Sequence, residues 1–98
     1  MDISDRLSAL SGEIAEEQTQ LRILEEQVTF QQEVAEEARI RALVSETPLA
    51  DREAREASDD LARLVRSRDD VLRRVSELRD EQDTLLERML AEAQDQRG

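Results

Sequence analysis

Apolar residues in the first half of the chain recur at alternating steps of four and three residues. This spacing places them on one face of a helix and is typical of a coiled-coil seam. Glu17 and Gln31 stand where the seam lacks an apolar side chain. The pattern predicts a long helix over residues 3–45. Its apolar seam consists of Ile3, Leu7, Leu10, Ile14, Leu21, Leu24, Val28, Ala35, Ala38 and Ala42.

The same steps restart after Pro48 and predict a second helix over residues 48–94. Arg68 and Gln82 occupy the polar positions of this second seam. Residues 95–98 lack a seam, so we expect them to form a polar tail. The apolar members of the second seam are Ala50, Ala54, Ala57, Leu61, Leu64, Val71, Val75, Leu78, Leu85 and Met89.

A turn is predicted between the helices, at residues 45–50. Pro48 has no amide hydrogen and clashes with the preceding helical turn, which disfavours one continuous helix by about 3 kcal/mol. Thr47 followed by Pro48 is typical of an N-cap and the first position of a new helix. Residues 1–98 are therefore expected to form one all-α domain, in which two long helices fold back as an antiparallel coiled-coil hairpin.

The start of the first helix has two features of its own. Asp2 or Ser4 can act as its N-cap, because either side chain can accept a hydrogen bond from a free amide. Gly12 costs about 1 kcal/mol relative to alanine inside a helix. We therefore expect the first turns to bend or fray near Gly12.

Two registers of the hairpin are compatible with a short turn. The first matches the polar positions with each other, giving the layers Gln31 with Arg68 and Glu17 with Gln82. The second, shifted by one heptad, places these polar residues against Leu or Val, with Arg68 level with Leu24. Because a buried polar group without a partner costs about 1 to 3 kcal/mol, we predict the first register.

The chain is strongly acidic, with 25 acidic residues, 14 basic residues and a net charge of −11. Such a surface repels phosphate backbones and anionic lipid headgroups, so we expect neither direct nucleic-acid binding nor membrane binding. All the basic residues are arginines, and the arginine-rich stretch 52–79 is close to neutral because acids are interleaved. Since the chain has neither an apolar stretch of about 18 residues nor a signal-like start, the expected location is the cytoplasm.

Several acids precede an arginine by four residues. This spacing favours ion pairs on the surface of a helix, each worth about 0.2 to 0.5 kcal/mol. The pairs are Asp2/Arg6, Glu37/Arg41, Asp51/Arg55, Asp59/Arg63, Asp69/Arg73 and Asp70/Arg74.

The residues needed for common catalytic and metal sites are missing from the sequence. It contains no cysteine, histidine, lysine or tyrosine, so a serine has no usual base to activate it. Carboxylate-bridged metal centres in helical bundles also need histidines beside the inward-pointing acids. With Gly12 and Gly98 as the two glycines, the chain has no glycine-rich phosphate loop. We expect no enzyme activity, catalytic residue, metal site or cofactor.

Further apolar residues lie outside the two seams, where a two-stranded hairpin would leave them in water. A stripe that repeats over several turns usually packs against something, so we expect a protein partner. The predicted partner-binding stripe comprises Ile23, Phe30, Val34, Val44, Val65 and Leu72. Additional apolar positions outside the seams are Ile40, Leu43, Leu86 and Leu90.

The simplest partner for this stripe is a second copy of the chain. We therefore expect a homo-oligomer in which hairpins assemble into a multi-stranded bundle, and a function as a scaffold, adaptor or spacer. In an antiparallel pair, the stripes of the two helices emerge on opposite sides. Either each stripe contacts a different neighbour, or the two-stranded arrangement is incomplete.

The tip of the hairpin suggests an alternative function. Glu46, Asp51 and Glu53 place carboxylates at the end of a slim hairpin whose neck is rich in alanine. This arrangement resembles the Gre-factor family and related coiled-coil regulators of bacterial RNA polymerase. The resemblance implies a transcription regulator whose acidic tip enters the secondary channel and acts near the catalytic metal. It covers the hairpin alone, since the globular or zinc-bearing second domain of those proteins has no counterpart here.

Overall fold

A computed structural model describes residues 2–97 of the chain. These residues form two α-helices and no strand: α1 is Ile3–Ser45 and α2 is Pro48–Arg97. The helices fold back on each other as an antiparallel hairpin. The predicted all-α hairpin is therefore confirmed. Met1 and Gly98 lie outside the described residues.

The C-terminal end of α1 is set by a residue in a left-handed backbone conformation. Ser45 is the last residue of the helix, and Glu46 follows it with φ 53°. The amide of Glu46 donates to the carbonyl of Ala42 at 3.1 Å, which satisfies one of the free carbonyls at the helix end. The left-handed conformation of Glu46 therefore begins the reversal of the chain directly after the end of α1.

Thr47 and Pro48 begin α2 in the way that the sequence predicted. The hydroxyl of Thr47 accepts a hydrogen bond from the amide of Ala50 at 3.2 Å, and its carbonyl accepts one from Asp51 at 3.1 Å. Thr47 is therefore the N-cap, and Pro48 occupies the first helical position. The connection between the helices consists of Glu46 and Thr47, which is shorter than the predicted turn at residues 45–50.

Asp2 caps the other end of the hairpin. Its carboxylate accepts a hydrogen bond from the amide of Asp5 at 2.8 Å, and its carbonyl accepts one from Arg6 at 3.1 Å. Of the two predicted caps, Asp2 rather than Ser4 fills the role. α1 continues through Gly12, so the expected fraying at this position is wrong.

α2 continues further than the seam does. We predicted that it would end at residue 94 and be followed by a polar tail, but it ends at Arg97. The last residues are mostly Ala, Glu, Gln and Arg, which have high helix propensity and need no partner helix to continue a helix. The tail prediction is wrong for residues 95–97, and its last residue, Gly98, lies outside the described part of the chain.

The chain divides into two compact units, one formed by residues 21–70 and the other by the residues before and after that segment. In each unit, every described apolar side chain that is buried belongs to one of the two predicted seams. Leu10, Ile14, Val71 and Val75 are buried in the unit formed by the two chain ends. Val28, Ala38, Ala50 and Ala57 are buried in the unit formed by residues 21–70. Met89, the last member of the second seam, is 37% exposed, so the seams are confirmed except at this position.

Hydrogen bonding contradicts the predicted register within residues 21–70. The side-chain amide of Gln31 donates from Nε2 to the carbonyl of Ala57 at 3.1 Å. Arg68, the predicted partner of Gln31, lies about 16 Å further along α2 than Ala57. The contact fits the register shifted by one heptad, in which Gln31 lies level with Leu61, because the Ala57 carbonyl points along α2 toward Leu61.

The unit formed by the chain ends shows the same shift. The carboxylate of Glu17 accepts a hydrogen bond from Nε of Arg74 at 3.2 Å. Gln82, the predicted partner of Glu17, lies about 12 Å further along α2 than Arg74. The predicted layer of Glu17 with Gln82 is therefore wrong as well.

The polar seam residues avoid the penalty on which the register prediction depended. Gln31 binds a backbone carbonyl, Glu17 binds Arg74, and the guanidinium of Arg68 binds the carboxylate of Asp69 at 3.1 Å. Among the described residues, no buried side-chain nitrogen or oxygen lacks a hydrogen bond. Gln31, Glu17 and Arg68 thus reach partners beside the seam, and the shifted register leaves no buried polar side-chain atom unpaired within residues 2–97.

Candidate functional site

The predicted stripe on α1 is largely exposed. The exposed fractions of Ile23 and Phe30 are 45% and 66%. These residues lie one heptad apart and therefore share one face of α1. Val34 is half-buried and gives less accessible apolar area. The most accessible apolar residues of this stripe within residues 21–34 are therefore Ile23 and Phe30.

Phe30 lies in a shallow groove formed by α1 alone. Three glutamates and one arginine surround the ring, so a partner that covers Phe30 also faces a negatively charged rim. The groove is lined by Arg22, Glu25, Glu26, Thr29, Phe30 and Glu33. The hydroxyl of Thr29, one of the lining residues, donates to the carbonyl of Glu25 at 3.0 Å, and this bond orients the Thr29 side chain.

The predicted stripe on α2 lies on a different side of its helix pair. Val65 is half-buried, and it occupies the same helix face as Ser58, one heptad earlier. Ser58 lines a groove between the helices together with Gln32 and Arg39 of α1. Phe30 precedes Gln32 by two residues, which is about 200° around α1. Phe30 and Val65 therefore emerge on opposite sides of residues 21–70.

Leu72, the other α2 member of the predicted stripe, belongs to the unit formed by the chain ends, and 45% of its surface is exposed. Arginines at positions 66 and 73 follow Val65 and Leu72 directly, and both are exposed. Asp69, four residues after Val65 on the same helix face, is exposed as well, so the charge beside Val65 is mixed.

The turn carries exposed apolar residues as well as the predicted acids. Val44 is 79% exposed, and Leu49, which the sequence reasoning missed, is 60% exposed. The signal that could have identified Leu49 as exposed is its position, because it lies in the first turn of α2 and outside the second seam. The three acids of the predicted tip, Glu46, Asp51 and Glu53, are all exposed. No group of three or more acids among the described residues is arranged to hold a metal ion.

A cross-helix ion pair joins the start of α1 to α2. Nε and Nη2 of Arg6 donate to the two carboxylate oxygens of Glu81 at 2.6 and 2.8 Å. Nη1 of Arg6 lies 3.4 Å from the carboxylate of Glu13. The hydrogen bond from Arg6 holds the pKa of Glu81 below its usual value, and the same bond raises the pKa of Arg6. The sequence had predicted Asp2 as the partner of Arg6.

Surface ion pairs within the helices also use a spacing of three residues. Arg39 donates to the carboxylate of Glu36 at 2.6 Å, and this hydrogen bond lowers the pKa of Glu36. Arg63 pairs with Asp60, where the four-residue spacing had favoured Asp59. Both spacings bring side chains together on a helix, so the choice between them depends on local rotamers.

Within residues 2–97, neither helix contains a segment that is both long enough and apolar enough to cross a membrane. The exposed apolar residues of α1 and α2 provide apolar contact area beside charged side chains, and this combination suits protein binding. Comparisons with protein-family models, with curated proteins and with solved structures find no match for this chain.

Proposed function

We propose that the protein is a non-enzymatic coiled-coil interaction module, acting as a scaffold, adaptor or spacer in the cytoplasm. It binds protein surfaces, including a second copy of itself, and so builds a multi-stranded helical assembly. The observation that supports this proposal is the exposure of Ile23 and Phe30 at a heptad spacing on α1.

The exposed ring of Phe30 gives the interaction its main apolar contact. Covering an aromatic side chain of this kind favours association by about 2 kcal/mol. Aromatic residues are also enriched among those that dominate protein interfaces. The only aromatic residue of the chain is therefore placed where a partner can bury it.

A titration with labelled chain tests the proposal. Unlabelled wild-type chain is added to fluorescently labelled wild-type chain, and anisotropy reports association. We expect Phe30→Asp to weaken this association by about tenfold or more, because it removes the anchor and adds a negative charge. Circular dichroism checks that the variant remains helical.

Ser11→Asp is the matched control, because it adds the same charge at an exposed polar position of α1 that lies far from Ile23 and Phe30. The control should associate like the wild type. Equal association of Phe30→Asp and Ser11→Asp would show that Phe30 is not the contact, and it would contradict the proposal.

A further inference from the structure

We infer that the face of α1 formed by Ile23, Glu26, Phe30 and Glu33 binds a basic amphipathic helix of another protein. We call these four residues the acidic face. The partner helix packs apolar side chains against Ile23 and Phe30 and places lysine or arginine beside the two glutamates. This inference rests on the proposed function, and it specifies the chemistry of the foreign partner. All four residues belong to one compact unit of the chain.

The acidic face repeats with a heptad period. Ile23 and Phe30 are exposed and lie seven residues apart, which corresponds to about 10 Å along α1. Each is followed three residues later by a glutamate, Glu26 and Glu33 respectively, and both glutamates are exposed and line the groove around Phe30. Residues three apart are neighbours on a helix surface. The acidic face is therefore a row of apolar contacts with a row of carboxylates beside it.

The two carboxylates of the acidic face are not neutralised by the chain. Further along α1, Glu36 is paired with Arg39. The side chains of Glu26 and Glu33, by contrast, form neither a hydrogen bond nor an ion pair in the described part of the chain. A cation supplied by a partner can therefore pair with each of these carboxylates without breaking an existing ion pair.

The sequence around the acidic face also lacks positive charge. Residues 23–38 are the longest stretch of the chain without a basic residue, and they contain five glutamates. Arg22 is the one cation that lines the groove around Phe30, and it already has an interaction within the chain. The net charge of −11 attracts a cationic partner and repels a second acidic chain. A basic partner therefore has an electrostatic advantage over a second copy at this face.

The exposed ring of Phe30 and the heptad spacing together favour a helical partner. A basic segment without apolar residues neutralises Glu26 and Glu33 but leaves the apolar surface of Ile23 and Phe30 in water. An amphipathic helix presents apolar and cationic side chains with the same period of seven residues as the acidic face. It can therefore form two apolar contacts and two ion pairs at once when it lies alongside α1.

Two synthetic helical peptides test the inference. The arginine peptide carries leucines at a heptad spacing with arginines three residues from each leucine, and the glutamine peptide has glutamine in place of every arginine. Each peptide is labelled and titrated with the full chain at physiological salt, and fluorescence anisotropy reports binding. We expect the wild-type chain to bind the arginine peptide about tenfold or more tightly than the glutamine peptide. Phe30→Ala should weaken binding of both peptides, because it removes the apolar contact that they share.

A pair of matched variants separates the acidic face from the overall charge of the chain. Glu26→Gln with Glu33→Gln removes both carboxylates of the face, and it should weaken binding of the arginine peptide by about tenfold while leaving the glutamine peptide unaffected. Glu87→Gln with Glu92→Gln removes the same charge at exposed positions of α2 in the other compact unit. This control should bind like the wild type, because salt screens charges that lie beyond about 8 Å. Circular dichroism checks that each variant remains helical.

Three results would overturn the inference. Equal weakening by the two pairs of substitutions would assign binding to the general acidity of the chain. Equal affinity for the two peptides, lost in both cases with Phe30→Ala, would leave an apolar contact without charge recognition, and the proposed function would survive. A wild-type chain that binds neither peptide would also contradict the inference. The proposed function is then decided separately, by the titration of the wild-type chain and Phe30→Asp with labelled chain.

Discussion

Glu46 carries the sharp reversal between the two helices in a conformation that favours glycine. Its φ of 53° lies in the left-handed region, which costs a residue with a Cβ atom about 1 kcal/mol or more. The sequence offered no glycine at this position, so the conformation could not be anticipated from residue type. The neighbouring cap at Thr47 and Pro48 could be anticipated, because its hydrogen bonds are local and its residues are selective.

Replacing Glu46 by glycine should stabilise the hairpin. We expect the free energy of unfolding to rise by about 1 kcal/mol, because glycine adopts the left-handed conformation without the steric cost. Urea unfolding followed by circular dichroism measures the change. Glu46→Ala removes the same charge but keeps the Cβ atom, so it should give no such gain. A gain in the alanine variant equal to that in the glycine variant would assign the effect to charge.

Arg6 and Glu81 make the stability of the hairpin depend on pH in a defined direction. The pKa of Glu81 is lower in the folded chain than its ordinary value of 4.5, chiefly because of the hydrogen bond from Arg6. A lowered folded-state pKa stabilises the fold above the unfolded-state pKa, and this contribution is lost as the pH falls through the folded-state pKa. Wild-type stability should therefore decline as the pH is lowered below about 4.5.

Glu81→Gln removes this titration. We expect the variant to be less stable than the wild type at neutral pH, with the difference shrinking as the pH falls into the acidic range. Thermal unfolding at several pH values measures the difference. Glu92→Gln, an exposed position near the end of α2, is the matched control and should follow the wild type. A constant deficit of Glu81→Gln at all pH values would show that the ion pair does not titrate with folding.

At the scale of the helices, the seams and their boundaries follow from periodicity and caps, but the register does not follow from matching polar layers. The cap at Thr47 and Pro48 fixed the start of α2, but the two-residue connection also depends on the left-handed Glu46 directly after Ser45, and this connection brings Ala38 level with Ala54. The charges beside the seam also favoured the shifted register. The predicted register would place Arg88, and not Glu81, opposite Arg6. The polar side chains of the seam were a weaker guide, since they are long enough to find partners beside it.

Engineered thiols distinguish the two registers directly. The chain has no cysteine, so Ala38→Cys with Ala54→Cys introduces the only thiols. We expect this pair to form an intramolecular disulfide in dilute solution, because the residues lie level in the shifted register. Ala38→Cys with Leu61→Cys corresponds to the predicted register and places the second thiol about 10 Å further along α2. Preferential oxidation of the second pair, seen as a mobility shift on a denaturing gel, would contradict the structure.

At the scale of the whole molecule, the sequence predicted which residues face water better than it predicted which residues face each other. Ile23 and Phe30 are exposed because the heptad pattern assigns them to the outside of α1 in either register. The Arg6 pair with Glu81 depends on the register, so it could not be predicted while the register was wrong. Leu49 was not predicted because it lies in the first turn of α2, outside the heptad spacing that defined the stripe. Such contacts depend on the alignment of two distant segments and not on a local pattern.

The proposed association of the chain with itself requires that apolar contact outweigh the overall repulsion between strongly acidic chains. Sedimentation equilibrium of the wild-type chain beside Phe30→Asp, over a range of concentrations, is the most direct measurement. We predict that the wild-type weight-average mass rises with concentration above the 11.3 kDa of one chain, whereas Phe30→Asp stays at that mass. A wild-type mass that stays at 11.3 kDa throughout, as in the variant, would contradict self-association through this surface.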